Sequence, residues 1–250
     1  MKHDPSFASI YAKVSNWQQV RGRELVEAAA PQRGETILDI GCGSGELTAE
    51  LARRVGPGGG VLGIDPDAAR IELAKASFGA ELPQLAFAVG RGEAMPKVVS
   101  GSIELVYSNY AFKWVRENER LLEEVWRCLK PGGRIAWEMP AATTDVFEEV
   151  MAIGKGCENN PLDSVFFVTE REWLPLLRAQ GFTVQHSETS DNAMPFASVE
   201  AFYDWWEGTT HGGFQRSQIA ADDRLEFEAT FVGGRLATVQ SVRVLGSKPA

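Results

Sequence analysis

Histidine and cysteine are scarce in this chain of 250 residues, with three of each. The cysteines, Cys42, Cys128 and Cys157, lie far apart, which excludes a disulfide framework and a Cys-based zinc site. Three reduced thiols fit a cytoplasmic address, which is the expected location. No apolar run reaches the roughly 18 residues of a membrane span, and the opening MKHDPSF has no apolar centre of the kind a signal peptide carries. No membrane partner is therefore expected. Basic residues are also outnumbered, 25 Lys and Arg against 34 Asp and Glu, for a net charge of −9. No cluster of Lys and Arg with interleaved aromatics stands out, whereas surfaces that hold nucleic acid are basic. Nucleic acid is not an expected partner; small molecules or carrier-borne groups are.

What is present is an ordinary globular composition, 44% hydrophobic and 24% charged, at a length that suits one medium-sized domain. Apolar runs and amphipathic segments alternate over the first 140 residues. ETILDI, GVLGID, QLAFAV, IELVYS and GRIAWEM read as strands. ELTAELARRV, DAARIELAKAS and ENERLLEEVWRCL read as helices, the last presenting Leu121, Leu122, Val125, Trp126 and Leu129 on one face. This alternation predicts a doubly wound, mostly parallel sheet with right-handed crossovers. Further on, a helix is expected from Thr169, with Glu172 closing a capping box, to Gly181. TVQHSE and RLATVQSVRVLG read as strands, separated by an aromatic-rich stretch too long for an ordinary connection. Residues 1–140 would form a cofactor-binding half, with 141–168 and 190–231 as lid or substrate insertions of one 1–250 domain.

The stretch ILDIGCGSG carries most of the functional signal. A strand, a glycine turn and a helix N-terminus form a site for a nucleotide-like ligand. The dinucleotide pattern G-x-G-x-x-G fails, because Glu46 stands at its third glycine, and no Lys-Ser/Thr follows to make a phosphate loop. A glutamate at the helix start repels pyrophosphate. The expected ligand is nucleoside-like, without phosphate, and cationic. Asp65, 24 residues after Gly41 at the end of the second strand, is positioned to reach ribose hydroxyls.

ILDIGCGSGELTAELA, VLGIDPDAARIELAKA, LVYSNYAFKWV and LKPGGRIAWEM together resemble the class I S-adenosylmethionine-dependent methyltransferases, over about residues 8–140. YAKVSNWQQVRGREL adds a likeness to the group containing trans-aconitate, juvenile-hormone-acid and malonyl-carrier-protein methyltransferases. The resemblance implies a seven-stranded Rossmann-like sheet with a C-terminal antiparallel strand, and S-adenosylmethionine as cofactor. It further implies that Gly41, Cys42 and Gly43 line the methionine and ribose parts, that Asp39 orients the amino group and that Asp65 clasps the ribose. Pro66 is expected on adenine, and Asn109 to offer its carbonyl to the amino group. Tyr11 and Gln18 are expected to close over the methionine end. The family's usual adenine-binding acid is here Arg91, which cannot accept a hydrogen bond. Adenine recognition is then expected to rest on Gly92 and Glu93.

Methyl transfer from a sulfonium is an in-line displacement that needs alignment and water exclusion more than proton transfer. A carboxylate acceptor needs no base, whereas a phenol or amine does. The expected reaction is transfer to a small-molecule oxygen nucleophile, a carboxylate. N-, C- or phenol O-methylation and a catalytically silent cofactor-binding subunit remain the alternatives. His211, in WEGTTHGGF, is the candidate base or substrate contact, with a solvated loop histidine as the plain alternative. Trp114 is expected to wall the substrate pocket, and Lys113 either to pair with an anionic substrate or to be a solvated lysine. No metal site is expected, and the sequence leaves the oligomeric state open.

Overall fold

The computed structural model describes residues 5–142, 145–153 and 165–250. Two helices, α1 (Pro5–Val14) and α2 (Asn16–Ala29), precede the sheet. The alternating half follows as β1 (Thr36–Ile40), α3 (Glu46–Val55), β2 (Gly60–Asp65), α4 (Ala68–Phe78), β3 (Leu85–Val89), β4 (Ile103–Asn109), α5 (Asn118–Cys128) and β5 (Leu129–Ala142). The remainder is α6 (Asp145–Ile153), α7 (Glu170–Gln180), β6 (Thr183–Phe196), α8 (Val199–Thr209), α9 (Ala221–Ala229) and β7 (Arg235–Ser247).

The strands form one seven-stranded sheet in the order β3-β2-β1-β4-β5-β7-β6. All neighbours through β5 pair in parallel, and β7 enters antiparallel between β5 and β6. The inner strands are apolar on both faces because helices cover both. Leu25, Leu51 and Ile71 of α2, α3 and α4 pack with Ile37, Val61 and Leu105 on one face. Leu121, Val125 and Trp173 of α5 and α7 pack with Leu38, Val106 and Ile135 on the other. The order reverses between β1 and β4, and in such sheets a ligand crevice opens at the carboxyl ends of the strands there. Among the described residues no helix is long and apolar enough to cross a membrane.

The helix expected at Thr169 has its capping box, with Thr169 N–H donating to Glu172 Oε2 at 2.8 Å, and it stops at Gly181 in left-handed backbone (φ 101°). Two boundaries differ from expectation. Leu129, expected on the apolar face of the helix before GRIAWEM, is instead the first residue of β5, because its backbone pairs with Ile103 of β4. The strand beginning at Thr183 does not end at Glu188 but runs on to Phe196, paired along its length with β7. Residues 190–196 are therefore sheet edge, and the inserted region between the last two strands begins at Ala197. Its polar residues, Ser190, Asp191 and Asn192, suit an exposed edge that must not pair with other chains. The aromatics Phe196, Phe202, Tyr203, Trp205, Trp206 and Phe214 form a third apolar cluster with Val146 and Val150 of α6 and Phe227 of α9, over the carboxyl end of the sheet. The other expected insertion, 141–168, falls partly outside the described residues, as does Cys157.

Candidate active site

Gly41, Gly43 and Gly45 leave β1 in left-handed backbone, with φ of 79°, 56° and 93°, where a side chain is strained. The close approach that the glycines permit is made largely by the protein itself. A Cβ on Gly41 would stand 2.1 Å from the Cβ of Ala111, and one on Gly45 2.8 Å from the ring of Phe87. Over Gly43 the ring of Tyr11 would lie 3.2 Å from an added Cβ. The loop is fixed to β2 by Gly41 and Cys42 N–H, which both donate to the carbonyl of Ile64 at 2.7 and 3.0 Å. Asp65 completes the connection: Oδ2 accepts from Gly43 N–H at 3.1 Å and Oδ1 from Asp67 N–H at 2.8 Å. A carboxylate offers about four acceptor positions, so Asp65, on the cavity wall, keeps capacity for two ligand hydroxyls.

Two cavities flank the loop. The larger, about 810 Å³ including its mouth, is lined by Asp65, Pro66, Gly92, Glu93, Lys113, Trp114 and His211, and also by Tyr11, Gln18, Gly41 and Asn109. The smaller, about 370 Å³, shares those last four and adds Asp39 and Cys42. Gly43 lines neither, being covered by Tyr11. Among the described residues the smaller cavity has two carboxylates in its wall, Asp39 and Glu46, and no basic side chain. Asp39 accepts from the Thr48 hydroxyl at 2.7 Å, and burial, with Asp65 nearby, raises its carboxyl to about 7. Burial likewise pushes the Cys42 thiol well up, so it is not a thiolate nucleophile. Asn109 Nδ2 donates to the Gln18 carbonyl at 2.9 Å, while Asn109 Oδ1 and Gln18 Oε1 are buried acceptors without partners among the described residues. Orphaned buried acceptors carry a desolvation cost that a ligand's donors relieve. Acid-lined and acceptor-rich at one end, with a diol-ready aspartate at the other, the pair of cavities fits S-adenosylmethionine.

At the adenine end, Arg91 is exposed and its guanidinium lies 3.3 Å from Glu93 Oε1. The Glu93 carboxylate is thus already engaged. Gly92 is required by packing, since a Cβ there would stand 2.7 Å from Leu121 Cδ1 and 2.9 Å from Ile40 Cγ2.

His211 is not a solvated loop histidine. It is buried, 6% exposed, and its Nδ1 lies 2.7 Å from Asp67 Oδ2. Burial, reinforced by Arg70, lowers its pKa below the ordinary 6.5 against the opposing pull of Asp67. Around this dyad stands a group that the sequence reading did not single out. Arg70, buried in the first turn of α4, donates through Nη2 to the Gly208 carbonyl at 2.7 Å and lies with Cζ 3.9 Å over the Tyr11 ring. A Cβ on Gly208 would stand 3.0 Å from Tyr11 N, so glycine lets α8 close against α1. The only local cue was that Asp67 caps α4 and Arg70 follows three residues later.

Lys113 and Trp114, in a 3-10 turn after β4, line the larger cavity and also a third, about 550 Å³, walled by Trp17, Phe147, Trp205 and Trp206. Burial, with Arg70 as a neighbouring cation, lowers the Lys113 ammonium to about 8, so it is charged at neutral pH. Tyr110, missed in the sequence, occupies the same junction in left-handed backbone (φ 57°). Its N–H donates to the Glu138 carbonyl at 2.7 Å and its hydroxyl bonds to Ser241 and lies 3.3 Å from Glu138 Oε1. Glu138 is itself buried between Arg21 Nε at 2.8 Å and Arg243 Nε at 2.7 Å.

Comparison with known proteins agrees with this geometry. Residues 37–133 match the family described as a methyltransferase domain. Trans-aconitate 2-methyltransferase of Deinococcus radiodurans is 39% identical over 132 residues, 52% of this chain and 48% of that protein. Demethylmenaquinone methyltransferase of Lactococcus lactis is 33% identical over 136 residues, 52% of this chain and 54% of that protein. The chain thus spans about half the length of the curated relatives it matches. The crystal structure of a SAM-dependent methyltransferase from Aquifex aeolicus superimposes with a TM-score of 0.61 at 17% identity, covering 99% of this chain and 100% of that one. At that identity the likeness concerns the fold.

Proposed function

We propose that this chain, a class I S-adenosylmethionine-dependent methyltransferase, transfers a methyl group to the carboxylate oxygen of a small molecule by in-line displacement. The observation that carries the reading is the junction of the cavities. Gln18, Tyr110, Lys113, Trp114 and Thr209 line both the larger cofactor-side cavity and the aromatic-walled one. A nucleophile resting in the second cavity meets a methyl group presented from the first. When bound, S-adenosylmethionine supplies an electrophilic methyl on a sulfonium, already activated for departure. The chain's part is then to bind and align. Asp65 accepts from the ribose hydroxyls, Asp39 and the Asn109 carbonyl take the amino group, and Pro66 covers adenine. Lys113 orients the acceptor carboxylate, and Trp114 with Tyr11 and Gln18 excludes water. Positioning of this kind accounts for most of the barrier reduction in such a displacement.

The relatives named for trans-aconitate support an acid acceptor, whereas the one named for demethylmenaquinone points to a different group, so the support for a carboxylate comes from Lys113 and the chemistry of the junction. One observation favours a second reading. With Nδ1 held by Asp67, His211 leaves Nε2 as an acceptor on the cavity wall, the arrangement of a general base for a hydroxyl acceptor. A screen with methyl-labelled cofactor over acids, phenols and amines separates the two. Methyl esters release labelled methanol in alkali; label found only in alkali-stable products refutes the carboxylate reading.

A further inference from the structure

The third cavity, between α2, α6 and α8, differs in chemistry from the other two. Its walls are mainly aromatic and aliphatic, with Trp205, Trp206, Phe147 and Trp17 foremost, and among the described residues no acidic side chain lines it. Lys113 is the one cationic residue among the described residues that line it. Among the described residues no carboxylate or carbonyl accepts from Lys113 Nζ, which lies 5.4 Å from the centroid of the Trp114 ring. Three more polar atoms of its lining residues, Trp205 Nε1, Trp206 Nε1 and Thr209 Oγ1, are buried without a hydrogen-bond partner among the described residues. Native interiors rarely leave such groups unpaired, so several unpaired N–H and O–H donors on residues that line one cavity point to a place for a ligand's acceptor atoms. The cavity is therefore donor-rich, singly cationic and otherwise greasy.

We infer that the methyl acceptor is an amphipathic monoacid, an apolar chain or ring system bearing a single carboxylate, whose head pairs with Lys113 at the junction and whose body lies among the indoles of α8. The inference rests on the methyltransferase reading and narrows its substrate class. Burial of a charge is tolerated only when it is paired. A tricarboxylate, trans-aconitate included, would bring three charges to one lysine and leave two of them against tryptophan. A cationic amine would face Lys113 with no carboxylate to receive it. An uncharged alcohol would fill the apolar space and lose the ion pair. The volume, about 550 Å³ with the mouth, falls in the range of small-molecule clefts.

The test is calorimetry on the whole chain saturated with S-adenosylhomocysteine, titrated with octanoate, 4-phenylbutyrate, propane-1,2,3-tricarboxylate and octan-1-ol. The two monoacids should bind at least tenfold more tightly than the tricarboxylate or the alcohol. Lys113→Met keeps the apolar stem and removes the charge; it should weaken the monoacids by roughly tenfold to a hundredfold, as expected for one charge-assisted bond, with octanol affected far less. Trp206→Phe, which keeps the ring packing and deletes one N–H, should weaken the acids by a few-fold. Equal or tighter binding of the tricarboxylate, or unchanged octanoate affinity in Lys113→Met, overturns the assignment. Failure of S-adenosylhomocysteine to bind the unaltered protein would instead refute the methyltransferase reading beneath it.

Discussion

Replacement of Asp39 by Asn should strengthen the free protein and weaken its hold on the cofactor. Asp39 is 2% exposed at the centre of β1, hydrogen-bonded to Thr48, with its carboxyl raised from the ordinary 3.8 to about 7. Because folding raises it, the native state keeps a proton that the unfolded chain releases. The stabilisation attached to that proton is complete below 3.8 and is lost as pH climbs through about 7. At about 1.4 kcal/mol per pH unit across that interval, the bare carboxylate costs on the order of 4 kcal/mol above pH 7. Asparagine is neutral at every pH, and its amide oxygen still accepts from Thr48. The variant should therefore melt several degrees above the parent at pH 8, at about 2–4 °C per kcal/mol for a chain of this length, and the gap should close towards pH 5. Cofactor binding should move the other way. Loss of the charge-assisted bond proposed between Asp39 and the amino group is worth about 1.5–3 kcal/mol, roughly tenfold to a hundredfold in affinity. Thermal melts from pH 5 to 8.5 and calorimetry with S-adenosylmethionine measure both. A variant less stable than the parent at pH 8, or an advantage independent of pH, would refute the reasoning.

The remaining predictions address the other parts of the site. Asp65→Ala removes the proposed acceptor for ribose and the tie to Gly43, so affinity should fall roughly tenfold to a hundredfold; unchanged affinity in a folded variant would end the ribose assignment. Glu138→Ala removes the buried carboxylate between Arg21 and Arg243 and leaves the half-exposed Glu24 as their shared anionic partner; it should cost on the order of 3 kcal/mol, read as a drop in the denaturation midpoint. With a carboxylate acceptor, turnover should stay nearly level down to pH 6 and survive His211→Ala; with a hydroxyl acceptor the rate should show an acid limb centred below 6.5 that the substitution abolishes. Hydrogen exchange across residues 197–214 should slow when S-adenosylhomocysteine and an acceptor acid are bound together, and equal exchange with and without ligands would reduce that segment to packing.

The alternating half of the molecule was legible because its signals are local. Apolar runs, helical periodicity, the Thr169–Glu172 box and the stop at Gly181 each reside within a few residues of chain, and the sheet follows from their order. The glycine loop and Asp65 were equally readable, since left-handed turns demand glycine and a strand end fixes where its aspartate emerges. Tertiary structure decided what depends on distant pairings. β6 continues through Ser190, Asp191 and Asn192, residues that locally favour turns, because β7 supplies a ladder for them to join. His211 meets Asp67 across 144 positions, and Arg70 reaches Gly208 across 138. Glu138 draws Arg21 and Arg243 to itself from opposite ends of the chain. No periodicity records such contacts, because each is one residue opposite one other, and only burial, by removing water, makes the pairing obligatory. The aromatic cavity beside Lys113 belongs to that second kind, assembled from helices that meet only once the sheet has formed.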